Sequence, residues 1–97
     1  MASLVKIAQA GTLESSDIMI TVAPGPQDSG IVIELESIVM AQYGEDIRLT
    51  LEKTVAEQDC NDIYIKALDR GALDCTIRAR VLTALSRAGA VLKEEIL

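Results

Sequence analysis

Histidine is absent from this sequence. Its absence removes the imidazole of Ser-His and Cys-His nucleophilic pairs and the commonest zinc ligand. Phe and Trp are missing too, and the two Tyr are the only aromatic residues. A core must therefore come from Ile, Leu, Val, Ala and Met, with little left for an aromatic ligand pocket or for base stacking. Basic residues are few: nine Lys and Arg stand against fifteen Asp and Glu, a net charge of −6. Nucleic-acid binding is disfavoured, because neutralising phosphates needs a cationic face. An acidic surface suits a domain that docks on other proteins, and equally an ordinary soluble domain. Cys60 and Cys75 are too few for a disulfide framework and form no Cys-x-x-Cys pair. No apolar run approaches the ~18 residues of a membrane helix, and Met1-Ala2-Ser3-Leu4-Val5-Lys6 lacks a basic segment leading into a long apolar one. The expected setting is a reduced cytoplasm, with no membrane and no nucleic acid as partner.

What is present fits one small domain spanning residues 1–97. Leu4, Val5 and Ile7 suggest a short edge strand. Ile18, Ile20 and Val22 alternate with Met19 and Thr21, and Ile31, Ile33 and Leu35 alternate with Val32, Glu34 and Glu36. Both are period-two strand patterns. Pro24 and Pro26 cannot donate to a ladder and belong to the connection between them. After Tyr43-Gly44, where a glycine can break the chain, Ile47, Leu51 and Val55 form a helical stripe beginning near Glu45 and Asp46, which would sit in its first turn. Ile63 to Leu68 reads as another strand and Asp69-Arg70-Gly71 as a turn. Ile77, Val81, Leu85 and Ala88 mark a final helix, with Arg80 and Arg87 off the stripe; Leu73 to Ala79 fits either strand or helix at its start. The order β-β-β-α-β-α predicts a two-layer α+β domain, a largely antiparallel sheet with two helices packed on it.

Without histidine, the chemistry-bearing candidates are carboxylates, cysteines and serines. Asp69, Asp74, Glu45 and Asp46 sit at turns or helix ends, where caps and solvated faces account for them. Cys75 falls on an apolar phase and is read as packing, whereas Cys60 adjoins a turn. Only Arg70 or Arg78 could supply a cation to activate Cys75. The loop Gly11-Thr12-Leu13-Glu14-Ser15-Ser16-Asp17 is different, because it places two serines beside acids just before the strongest strand. Locally they are turn formers. A functional serine here would be a group presented to another enzyme, since no base accompanies it. Neither a catalytic residue nor a metal-ligand set is expected in this chain.

That loop, together with Gly71-Ala72-Leu73-Asp74-Cys75 running into Ile77-Arg78-Ala79-Arg80 and the central Gln42-Tyr43-Gly44 before Ile47-Arg48, resembles the acyl carrier (gamma) subunit of citrate lyase. The resemblance covers nearly the whole chain and implies a non-catalytic subunit of a lyase complex. It implies that the serine after Glu, here Ser15, bears 2′-(5″-phosphoribosyl)-3′-dephospho-CoA through a phosphodiester; Ser16 stands where many relatives have glycine and is the second choice. The implied partners are the alpha (acyl transferase) and beta (citryl lyase) subunits and the transferase that installs the prosthetic group. In the implied cycle, acetyl on the arm's thiol is exchanged for citryl with release of acetate. Cleavage to oxaloacetate then restores acetyl. The sequence also resembles, less closely, the carrier of malonate decarboxylase. A plain interaction domain is the remaining alternative.

Overall fold

A computed structural model describes residues 4–92. The elements run β1 (Ala8–Gly11), β2 (Ile18–Pro24), β3 (Ile31–Ser37), α1 (Met40–Glu57), β4 (Ile63–Asp69) and α2 (Asp74–Arg87). The expected order β-β-β-α-β-α and the two-layer α+β architecture are both present. The sheet order is β1-β2-β4-β3. β1–β2 and β2–β4 are antiparallel, whereas β3–β4 is parallel. The parallel pair follows from its connection, since a helix-length crossover returns the chain to run in the same direction.

Alternation decides which face of the sheet is covered. Ile18, Ile20 and Val22 of β2 and Ile63, Ile65 and Ala67 of β4 are buried on one side. Ile47, Leu51 and Val55 of α1 and Ile77, Val81, Ala84 and Leu85 of α2 close over them. Each fully buried Ile or Leu contributes about 1.5–3 kcal/mol of transfer free energy. α2 lies over β1 and β2, and α1 lies against β3. Each helix also sends an arginine to the free side of the nearby edge strand. Arg48 Nη1 donates to Ile33 O at 3.3 Å, and Arg87 Nη1 donates to Gln9 O at 2.9 Å. These bonds occupy backbone acceptors that an exposed strand edge would otherwise offer to another chain.

Three local expectations are corrected and one open alternative is settled. The first strand is Ala8–Gly11, not Leu4 to Ile7; Val5 and Ile7 are exposed, and Val5 N instead bonds Ala88 O at 2.9 Å. Gly44 does not interrupt α1, which begins at Met40; the glycine is buried in the helix, where a Cβ would lie 2.9 Å from the Met40 sulfur. Glu45 and Asp46 therefore fall beyond the first turn, which holds no acid. The ambiguous Leu73–Ala79 segment is helical from Asp74, with Leu73 extended at its N-cap.

Candidate functional site

The ends of the strands fix where the Ser15 loop lies. β1 ends and β2 begins at the same edge of the sheet where β3 and β4 end and both helices begin. The β1–β2 loop, the β3–α1 corner and the β4–α2 loop thus converge at one end of the domain. Within the first of these, Asp17 N donates to Glu14 O at 3.2 Å, closing a β-turn with Ser15 and Ser16 at its centre. Ser16 has φ +64°, as the third position of a type II turn demands, whereas φ at Ser15 is not positive. Both serines are exposed.

The turn is held at its base by Asp17, which is 9% exposed. Its carboxylate accepts from Thr12 Oγ1 at 2.6 Å, from Ile18 N at 2.7 Å, and from Arg80 Nε and Nη2 at 3.1 and 3.0 Å. These donors favour the ionised form. Arg80 above all, then Thr12 and the Ile18 N–H, hold the Asp17 pKa down at about 2 against the opposing effect of burial. Thr12 Oγ1 also accepts from Glu14 N at 3.2 Å. β4 supplies a second anchor: Ser16 N donates to Arg70 O at 2.8 Å, and Arg70 N donates to Asp17 O at 2.9 Å. Gly11 makes this closure sterically feasible. Its φ is +95°, and a Cβ there would sit 1.8 Å from Ile18 O.

Asp69, the register partner of Ile18, performs the same task for the two neighbouring loops. It is buried and accepts from Ser37 Oγ at 2.7 Å, Gly71 N at 3.0 Å and Ala72 N at 3.0 Å. Ser37 Oγ in turn accepts from Val39 N at 3.0 Å. Asp69 therefore has a structural role in its turn, accepting from the N–H groups of Gly71 and Ala72. Asp74 does occupy the first turn of α2.

Cys75, read as packing, is instead exposed, whereas Cys60 does adjoin a turn, at residues 58–59, and is buried. Cys75 precedes Ile77 by two residues, so on a 3.6-residue turn it faces away from the buried stripe. Desolvation, more than the nearby Asp59 charge, raises the Cys60 pKa. Sequence reasoning missed Asp17, Arg80, Thr12 and Ser37 as anchors. The Thr12 and Asp17 side chains bracketing the two serines are the only local signal that could have flagged the turn's base.

Comparison with known proteins places this architecture. A family profile described as "Malonate decarboxylase delta subunit (MdcD)" matches residues 5–88. A "Citrate lyase acyl carrier protein" of Streptococcus uberis is 49% identical over 85 residues, covering 88% of this chain and 82% of that protein. One of the same description from Halothermothrix orenii is 49% identical over 83 residues, covering 86% of each. Among solved structures, a chain of a Pseudomonas malonate decarboxylase hetero-tetramer in complex with malonate superposes with a TM-score of 0.74. It is 20% identical, with 87% of this chain and 84% of that one covered, and so speaks for the fold alone.

Proposed function

Because the chain belongs to the citrate lyase acyl carrier protein family, we propose that Ser15 is the attachment point of its prosthetic group, phosphoribosyl-dephospho-CoA linked through a phosphodiester. The domain then carries acetyl and citryl groups between an alpha acyl transferase and a beta citryl lyase. When attached, the group supplies a thiol on a long flexible arm, able to hold an acyl thioester. The chain's own residues supply the anchor.

The observation that carries this reading is the construction of the turn. Ser15 is exposed at its tip, while its neighbours do the structural work: Ser16 takes the left-handed backbone and bonds Arg70, and Asp17 is clamped by Arg80 and Thr12. A residue so presented can enter another enzyme's active site without disturbing the core. Ser16 has φ +64°, the conformation glycine adopts most cheaply, which supports a structural role there and favours Ser15 as the modified residue. The residues present therefore fit a covalently attached group at Ser15. No histidine is available to activate the hydroxyl, so the base belongs to the modifying enzyme. Tethering turns the second catalytic encounter into an intramolecular one, with effective concentration set by reach and geometry. The carrier itself performs no acid–base step.

The test is acyl exchange in the reconstituted complex. Modified carrier with alpha and beta subunits should turn over citrate and leave malonate untouched, and Ser15→Ala should abolish turnover. Malonate-dependent activity in place of citrate cleavage would instead assign the chain to a malonate decarboxylase, whose delta-subunit profile matches residues 5–88. The 49% identity to citrate lyase carriers supports the citrate reading.

A further inference from the structure

Among the described residues, large apolar side chains are left in solvent at the Ser15 end on each of the three converging loops and on the start of α1. Leu13 of the β1–β2 loop is 46% exposed, Ile38 of the β3–α1 corner 68%, Tyr43 of α1 56% and Leu73 of the β4–α2 loop 69%. They form a continuous surface. Leu13 and Ile38 line one depression of about 310 Å³ with Arg70, and Tyr43 and Leu73 line a larger one of about 840 Å³ with Val39 and Ala72. The two depressions adjoin at consecutive residues, Ile38–Val39 and Arg70–Gly71. Asp69 pins the loops bearing Ile38 and Leu73 to each other through Ser37 Oγ and the Gly71 and Ala72 N–H groups, so the surface is preorganised. Its polar lining includes the exposed carboxylates Glu36, Asp46 and Asp74 against the guanidinium of Arg70.

Resting on the assignment of Ser15 above, we infer that this end is the docking face for the enzyme that installs the prosthetic group, and that the enzyme's matching surface is apolar with a cationic rim. Small-molecule sites bury 70–90% of their ligand; side chains themselves 46–69% exposed cannot enclose one, whereas a protein surface can cover them. The rim charge gives the complementarity that speeds encounter and fixes orientation. The loading enzyme is the occupant because it must reach the Ser15 hydroxyl itself. Enzymes acting later meet a thiol at the end of a long arm and need not contact the turn so closely. Tyr is a side chain on which binding energy concentrates at protein interfaces, and Tyr43 stands exposed on this face.

The test measures initial rates of prosthetic-group transfer onto the full-length chain, using the transferase with its CoA-derived donor. Tyr43→Ser and Leu73→Ser, separately and together, should lower kcat/KM by about tenfold or more, chiefly through KM, with thermal midpoints unchanged. Val32→Ser, exposed on the outer face of the sheet, should transfer at the wild-type rate. Neutralising Glu36, Asp46 and Asp74 as the amides should flatten the salt dependence of the rate. As a check independent of variants, titrating the wild-type chain with transferase should shift the backbone amide resonances of Leu13, Ile38, Tyr43 and Leu73 and spare the β2–β3 loop. Wild-type rates in the double variant, or shifts confined to the opposite end, overturn the docking face while leaving Ser15 as the attachment point. Failure of the wild-type chain to gain mass overturns both.

Discussion

Arg80 on α2 grips the Asp17 carboxylate through two hydrogen bonds of 3.1 and 3.0 Å across 63 residues of sequence. This contact joins the turn that displays Ser15 to the helical layer. Asp17 is nearly buried and Arg80 is 40% exposed at its side chain, so the pair is neither a surface ion pair nor a fully desolvated one. Replacing Arg80 by Ala leaves the carboxylate without its strongest partner. The expected loss is about 1–3 kcal/mol, seen as a lower urea midpoint with an unchanged slope. Arg80→Lys cannot reproduce the two-pronged geometry and should recover only part of it.

The same pair predicts a pH dependence. Asp17 titrates at about 2 in the folded chain against an ordinary value of 3.8. A depressed pKa stabilises the fold fully above the unfolded value, and that contribution is lost as pH falls through the folded one. The gap corresponds to at most ~2.5 kcal/mol, and the exposure of Arg80 screens it to about 1–2 kcal/mol. The stability difference between wild type and Asp17→Asn should therefore narrow by that amount between about pH 6 and about pH 2. A difference that stays constant over this range contradicts the assignment.

Gly11 and Gly71 separate backbone conformation from steric contact. Both have positive φ, +95° and +89°, but a Cβ at Gly11 would lie 1.8 Å from Ile18 O, while nothing lies within 4 Å of one at Gly71. Gly71→Ala should cost about 1 kcal/mol from φ alone, whereas Gly11→Ala should cost about 3 kcal/mol or more and displace the turn. At roughly 4–8 °C per kcal/mol for a domain of this size, thermal melting distinguishes the two.

The cysteines should react in sequence. A thiol-reactive reagent should modify Cys75 rapidly in the native protein and Cys60 only on unfolding, because Cys60 is buried and its thiol pKa is raised by desolvation. Two fast thiols in the native state would contradict the placement of Cys60.

What the sequence discloses follows physical reach. β2, β3 and β4 are legible because Ile, Val and Leu alternate over a sheet with one covered face. β1 is not, since Ala8-Gln9-Ala10-Gly11 has little strand propensity, and the more apolar Leu4, Val5 and Ile7 draw the expectation upstream. The start of α1 is obscured by Gly44, a breaker by propensity but here a small residue beside Met40. Cys75 fits an alternating pattern that ceases to apply once the segment is helical. The Ser15 loop is visible as a motif, and its exposure follows from its turn residues. Its anchoring is not visible, because Asp17–Arg80 and Asp69–Ser37 are tertiary pairs that no local period encodes.

The most direct test of the account is the mass of the intact chain produced together with the enzymes that make and transfer the prosthetic group, followed by mapping of the modified peptide. Wild type and Ser16→Ala should both gain the mass of one phosphoribosyl-dephospho-CoA group, located on Ser15, and Ser15→Ala should gain none. An unmodified wild-type chain, or a group that persists in Ser15→Ala, would contradict Ser15 as the attachment point.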